Sequence, residues 1–417
     1  MKKVVSILVL LASVVGAKAQ IEFDRIESFL MERKNLSIGR NEEARNYVSV
    51  FGQGDINSSS ISNKFFEDYL YRKAFLTNDL KQDQLDHSNS TYRLGADIKA
   101  GIYASHQYDK FTIEAGYFYR TFYGTSFNKD VFSLIFMGNS QYAGKYASLD
   151  PFNYYSYTSQ NVFVGYKKNI GESLKTQVGI RLGFIGGSNM QSVKLSDATF
   201  YTEQNGAYLE LQGGVNVAYR DKDDKGGAGA FTDLYIKTKV KQWDVIAEVR
   251  DLGFIHWGQL SSYNQTGTFR YDGYTIDTLF GSNGFKLDPI TIDSVMQKFG
   301  LEKKKSAFNY MLPTTFHVGV SKDLSEKFTL GVGCKYTMAP GYIPRVYTRL
   351  AYYLAPQFTV VPSLAYGGFG RLDVELGLAK SFKEKYFIST NLFWLEYLTL
   401  PEQSSGHGMS LAFSMKW

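Results

Sequence analysis

A two-residue hydrophobic period restricts this chain more than any other feature. Val178, Ile180, Leu182 and Phe184 alternate with Gln177, Gly179, Arg181 and Gly183. Leu94, Ala96, Ile98, Ala100 and Ile102 alternate with Arg93, Gly95, Asp97, Lys99 and Gly101. Phe111, Ile113, Ala115, Tyr117 and Tyr119 alternate with Thr112, Glu114, Gly116 and Arg120. An extended strand places such residues on opposite faces. The runs are long for globular strands, which average about five or six residues, and suit a strand that crosses a bilayer.

The last nine residues, MSLAFSMKW, follow the same period. Met409, Leu411, Phe413, Met415 and Trp417 share one face, read as the lipid face of a closing strand. Ser410, Ala412, Ser414 and Lys416 share the other. The terminal aromatic strand resembles the signal that the barrel-assembly machinery reads in Gram-negative bacteria. The fold class read here is all-β: a transmembrane antiparallel β-barrel of about fourteen strands (twelve to sixteen), with short loop or plug helices.

Lys2 and Lys3, an apolar run from Val4 to Val15, and Ala17-Lys18-Ala19 form a secretory signal, 1–19, cleaved after Ala19. Its apolar run is too short to span a bilayer as a helix. Residues 20–417 read as one barrel domain, with 20–90 taken as a plug or a periplasmic segment around a first strand at 46–58. The chain carries 31 Tyr, 31 Phe and 39 Gly against 8 Pro, a composition of strands and interfacial aromatics. The formal net charge is +6, three of it on Lys2, Lys3 and Lys18, too little and too scattered for a nucleic-acid partner. Cys334 stands alone and excludes a disulfide framework or a thiolate metal site; it reads as a small apolar residue on a lipid-facing or core-facing strand surface.

Taken in order, 62–86 fits either a helix behind a Ser62/Asn63 cap or a strand. Residues 130–137 suggest a short helix ending at Gly138-Asn139. Residues 186–206 read as a long loop, and 220–229 as a polar break. A tight turn at Gln242 joins strands near 231–241 and 243–256. In the largest insertion, 257–306, a segment TGTFRYDGYTID suggests a hairpin arm. Asp288, Pro289 and Gly300 frame a helix with an apolar stripe, either gating the pore or packed under its own loop. Seven strands at 314–322, 327–338, 343–354, 357–367, 371–381, 386–398 and 407–417 close the chain. About sixteen strand candidates emerge. Strict up-and-down alternation conflicts at Gln242, so one or two candidates between 199 and 277 are expected outside the membrane.

Several segments resemble a Bacteroidota family of outer-membrane barrels, domain of unknown function 5723. The resemblance rests on Gly138-Asn139, Ala143-Gly144, an Asp-containing turn at Ser196-Asp197, and the element Asp251–Ile255 with Trp257. It covers most of 40–417 and implies a barrel similar to the fatty-acid-transporter type, with no assigned activity.

The residues carry little chemistry of their own. The histidines His87, His106, His256, His317 and His407 are scattered without metal-ligand spacing. No nucleophile elbow or phosphate loop appears, and His256 or His317 would need a rim serine to serve a hydrolase. No catalytic, cofactor-binding or metal residue is expected, and no cofactor. Arg93, Asp97, Lys99, Glu114, Arg120, Lys175 and Arg181 lie on the polar faces. They read either as a lumen lining or as mutually paired filling. The sequence thus reads as an exported cell outer-membrane barrel, in contact with lipid and porin-like, passing small or hydrophobic solutes. The alternative is a non-conducting barrel that anchors or assists a surface-protein secretion or gliding complex.

Overall fold

The computed structural model describes residues 45–68, 72, 76–86, 91–109, 111–171, 176–272, 292–355, 357–383, 385–400 and 404–417. The signal (1–19), the segment 20–44, Lys175, and the expected cap at Asp288 and Pro289 lie outside them.

One sheet holds seventeen strands among the described residues. The first nine are β1 (Asn46–Ser58), β2 (Thr91–Gln107), β3 (Phe111–Asn128), β4 (Lys145–Ser148), β5 (Phe152–Ile170), β6 (Thr176–Thr202), β7 (Leu209–Tyr219), β8 (Gly227–Val240) and β9 (Trp243–Tyr271). The others are β10 (Lys304–Met311), β11 (Thr315–Asp323), β12 (Phe328–Thr337), β13 (Ile343–Ala355), β14 (Phe358–Gly368), β15 (Leu372–Phe382), β16 (Tyr386–Phe393) and β17 (Gly406–Lys416). Fourteen form the wall. Each is antiparallel to its neighbours, and β17 pairs with β1 from Tyr47↔Lys416 to Asn57↔Gly406. Asn46 and Trp417 exchange backbone hydrogen bonds at 2.9 and 3.1 Å, so the closing seam reaches the last residue.

The remaining strands β4, β7 and β10 lie beyond the wall, paired to upward continuations of β6 and β9. This removes the conflict at Gln242. The β8–β9 turn sits at the same end as the other short turns, and β7 is the strand outside the wall. The expected loop at 186–206 is corrected: β6 runs unbroken to Thr202, because its backbone is still paired with β7 on that stretch. Residues 266–271, expected in a hairpin arm, are the end of β9. The strand expected over 386–398 stops at Phe393, because Trp394 turns into the left-handed region at φ 62°.

All turns at the end carrying Asn46 and Trp417 are short, and the longer connections lie at the other. Outer-membrane barrels show this asymmetry, the short turns facing the periplasm. The described part of the 20–90 segment therefore divides between the wall, as β1, and the outer rim. Ser62 caps helix α1 (Asn63–Phe66), its side chain accepting from the Phe65 amide. Helix α2 (Asn78–Asp86) is tied down by Gln84, which accepts from the Ser62 amide at 3.0 Å.

Val162, Val164, Leu182, Phe184, Val318, Val346 and Leu364 stand exposed on the outer surface. The inward positions are buried. Three apolar clusters result among the described residues: one inside the barrel, around Phe122, Tyr155, Tyr157 and Trp257, one at the outer rim, around Phe65, Phe132, Leu211 and Val215, and a smaller one around Tyr353, Val361 and Phe387. Among the described residues, no helix is long and apolar enough to cross a membrane. The molecule is a closed, antiparallel, fourteen-stranded outer-membrane-type barrel.

Candidate luminal and outer-rim sites

Glycine and alternation bring the inward charges together. On β3, Glu114 and Arg120 point inward, separated by Gly116 and Phe118. Glu114 accepts from Lys167 and Arg181 at 2.5 Å each and from the Tyr103 hydroxyl at 2.7 Å. A Cβ on Gly165 would lie 2.5 Å from the Glu114 side chain, so glycine there makes room for the carboxylate. Higher in the lumen, Arg120 donates two bonds of 2.9 Å to Asp97 and one of 2.8 Å to Asp251. Lys99 approaches Asp97 at 3.6 Å, and Arg181 approaches Asp233 at 3.7 Å. Each buried charge offsets another, the arrangement a low-dielectric interior demands.

Asp251 reaches this network because β9 is bulged. Leu234 pairs with Val249 and Thr232 with Leu252, so Arg250 and Asp251 together face Asp233. Both are buried, whereas strict alternation would send one outward. Asp251 adopts φ 57°, a conformation that Asp tolerates better than most residues, and its amide donates to Asp233 at 2.8 Å. Beyond it Ile255 and Trp257 turn inward and are fully buried, with Trp257 filling the space left by Gly187 and Gly227. The Asp251–Trp257 element is thus a bulge followed by a luminal aromatic. Ser196-Asp197, read as a turn, is likewise a bulge within β6, with Asp197 at φ 49° opposite Gly213.

The lumen has two unlike halves. Along β3 to β9 it is packed with rings, and Tyr155 stacks on Tyr310 at 3.6 Å. Toward β1 and β11 to β17 lies a polar cavity of about 130 Å³, lined in part by Gln53, Asp55, Lys99, Asp251, Arg349 and Asn391. Arg345 pairs with Asp373 and with Glu375 on this side, and Asp55 accepts from the Trp394 indole at 2.9 Å. His317 lies between Glu248, at 3.3 Å, and the Tyr347 hydroxyl, at 2.6 Å. His256 faces outward and bonds Asn309 at 2.6 Å. Among the described residues no cluster of His, Cys, Asp or Glu is arranged to hold a metal.

Of the seven charges singled out from sequence, Asp97, Lys99 and Arg120 meet in one network, and Glu114 and Arg181 in another. Arg93 instead donates to the Gly370 carbonyl at 3.2 Å, and Lys175 is outside the described residues. On β17, Met409, Phe413 and Trp417 are exposed on the outer face, while Ser410, Ala412 and Ser414 are buried on the inner one. Cys334 is exposed on the outer face of β12. Sequence reasoning missed Lys167, Asp233, Arg250, Asp251 and Arg345. Asp233 lies on an alternating strand, and its inward face was the available signal. Arg250 and Asp251 break the alternation, so no periodicity could pair them.

A second cavity, of about 430 Å³, opens at the outer rim. Helix α3 (Lys129–Phe136) begins at Asn128, whose side chain accepts from the Val131 amide, and stops where Gly138 takes φ 84°. Its Val131, Leu134 and Ile135 face Leu149, Phe152, Leu195, Phe200 and Leu209 across the cavity. Asp130 braces the loop by accepting from the Ser148 amide at 2.7 Å and the Tyr142 hydroxyl at 3.0 Å. The walls are aliphatic and aromatic, suited to an apolar guest.

Helix α4 (Ile292–Lys298) belongs to the same rim. Asp293 accepts from the Tyr219 hydroxyl, from Tyr263 at 2.6 Å and from Lys303 at 2.6 Å, and Lys303 also reaches Asp221 at 3.1 Å. Met296 and Phe299 pack on the rim core, and Gly300, at φ 73°, closes the helix. The described helix is therefore packed against its own rim sheet. Burial alone would raise the Asp293 pKa, yet the bonds from Lys303, Tyr219 and Tyr263 hold it below its ordinary value. Lys303 is raised by Asp293, Tyr219 and Asp221 against the lowering effect of burial.

The profile of a family described as "Family of unknown function (DUF5723)" matches residues 41–368. No curated protein matches the chain. Among solved structures, a deltaS2S3 mutant of the TodX monoaromatic hydrocarbon channel is similar at 10% identity and a TM-score of 0.47, with 96% of each chain covered. The Pseudomonas putida toluene transporter TodX gives 9% and 0.43, covering 89% of this chain and 88% of its own. A Pseudomonas aeruginosa FadL homologue gives 9% and 0.42, covering 90% of each.

Proposed function

The chain belongs to the DUF5723 family of unknown function, and from that premise we propose that it is an exported outer-membrane barrel that passes small hydrophobic solutes passively. The observation that carries this reading is the rim cavity of about 430 Å³, walled by Val131, Leu134, Leu149, Leu195, Phe200 and Leu209. An apolar solute held there leaves water at the outer face of the barrel. Burying apolar surface contributes about 25 cal/mol per Å², enough for a weak, reversible hold on a small molecule. The half of the lumen along β3 to β9 is packed with rings, so passage through it requires side chains to move aside. The protein is read as exported by cleavage after Ala19 and as carrying no catalytic centre.

The test is accumulation of a radiolabelled aromatic hydrocarbon by cells with and without the protein, together with binding of the same probe to the purified barrel. Faster accumulation and saturable binding, both lost in the Leu195→Trp variant, are expected. Unchanged accumulation with no binding to well-folded protein would sink the transport reading.

The paired, ring-filled lumen favours a second reading, a non-conducting barrel that assists a surface-protein complex. Stoichiometric co-purification of a partner that survives filling of the rim cavity would support it.

A further inference from the structure

The two ends of the barrel differ in charge. At the short-turn end, over 45–47, 107–112, 166–176, 237–244, 321–328, 354–359, 380–386 and 415–417, the described residues hold twelve Lys and Arg against four Asp and Glu. At the opposite end the signs are mixed and partly paired, as in Arg72 with Glu67 and Lys303 with Asp293. At the short-turn end Arg45 pairs with Asp109 and Lys239 with Asp244, and Lys167 turns into the lumen to Glu114, yet an excess of positive charge remains, which is costly unless counter-charge is close by.

Position says where that counter-charge lies. Lys168 and Lys380 are exposed on the outer faces of β5 and β15, in line with Tyr166 and Phe382, and Lys322 shares the outer face of β11 with Val318 and Phe316. The Lys322 ammonium sits 5.4 Å over the Trp243 ring, and the Lys380 ammonium 5.0 Å over Phe382. Trp243, Phe382, Tyr386 and Trp417 are exposed in the same band. Aromatic side chains collect at the headgroup level, and lysines beside them extend toward it. Below the band, Lys383 and Lys385 crown an exposed turn.

We propose that this lysine collar binds the phosphates of anionic phospholipid headgroups in the leaflet that the short turns face. The proposal rests on the outer-membrane reading above. The occupant is a lipid rather than a soluble acidic chain, because the outward lysines stand in the aromatic band and not on an open aqueous face.

The experiment uses the full barrel in vesicles of phosphatidylcholine carrying spin-labelled phosphatidylglycerol or spin-labelled phosphatidylcholine. The immobilised fraction of phosphatidylglycerol is expected to exceed that of phosphatidylcholine about five-fold, the effect of a single well-placed lysine at a charged surface. The excess should fall toward unity in 1 M salt, where screening is short-ranged. It should also fall in a variant combining Lys168→Gln, Lys322→Gln, Lys380→Gln, Lys383→Gln and Lys385→Gln. Equal immobilisation of the two lipids by wild type overturns the proposal, as does an excess that the variant retains. Displacement of the lipid by soluble polyglutamate would assign the collar to an acidic periplasmic chain and overturn it too. Heat-modifiable gel mobility is read on the same samples: its absence refutes the membrane reading, whereas its presence with equal immobilisation refutes the collar alone.

Discussion

The Arg120 guanidinium on β3 lies 2.8 Å from the Asp251 carboxylate on β9, a chord across the lumen between strands separated by three others in the wall. Asp97 holds the same guanidinium from the adjacent strand at 2.9 Å. One side chain thus joins two distant parts of the wall, with the guanidinium itself buried.

Removing that chord should be costly. Arg120→Met leaves Asp97 and Asp251 buried with fewer partners and is expected to cost about 3–5 kcal/mol. The measurement is urea unfolding of the barrel in lipid vesicles. Combining Arg120→Met with Asp97→Asn and Asp251→Asn should recover a substantial part of the loss, because the cost lies in the stranded charges. A triple variant as weak as the single one would contradict this account.

Asp251 has two separable duties. Asp251→Asn keeps a side chain that tolerates φ 57° and removes only the charge. Asp251→Val removes the charge and also strains the backbone by about 1–3 kcal/mol. Valine should therefore destabilise more than asparagine by roughly that margin in the same unfolding assay. Equal losses would show that the left-handed conformation is not held against resistance.

At the rim, Leu195→Trp should fill the cavity beneath α3. Probe affinity is expected to drop about ten-fold, while overpacking changes stability by no more than about 1–3 kcal/mol. Isothermal titration with the hydrocarbon probe, run beside thermal unfolding, separates the two. Unaltered affinity would place the solute elsewhere.

The clasp on α4 should respond to acid. The Asp293 carboxyl has a folded pKa below its ordinary 3.8, so the stability it contributes is full above that pH and is lost as pH falls through the lower folded value. Asp221, which shares Lys303, is also held low, by the Lys222 amide and then by Lys303. Hydrogen-exchange protection over 292–303, corrected for the intrinsic pH dependence of amide exchange, should be high and unvarying from neutrality down to the ordinary Asp range, then fall below it. The D293N variant should show low protection throughout, and equal protection in both proteins would refute the clasp.

The wall was legible in the sequence because one physical demand, an apolar outside against an inside of charged, polar and small residues, recurs along it. Cys334 between Val332 and Tyr336, and the β17 alternation, follow from it directly. The rim was not legible. Residues 186–202 carry Gly186, Gly187, Ser196 and Asp197, which punctuate a strand as they would a loop, and only the pairing of β6 with β7 reveals which. Asp251 misleads in the same way, since a left-handed Asp marks a turn elsewhere and a bulge here. The partners of Arg120 and Arg181 depend on barrel stagger and on that bulge, neither of which sequence distance encodes. Alternation alone does not distinguish polar faces that line a passage from polar faces that fill it. Around Glu114 and Arg120 the described side chains fill it.

β9 runs as one backbone from the Gln242 turn to Tyr271, well past the wall, where β7 and β10 grip it on both sides. Mechanically it is a single rod clamped at each end. A paired strand resists bending along most of its length, so its compliance gathers where one residue of the ladder is left over, at Gly258-Gln259 against β10 and at Arg250-Asp251 against β8. Tugging on the outer rim would therefore be taken up at these two joints, the lower of which tethers Arg120 some way down the lumen from the point of pull.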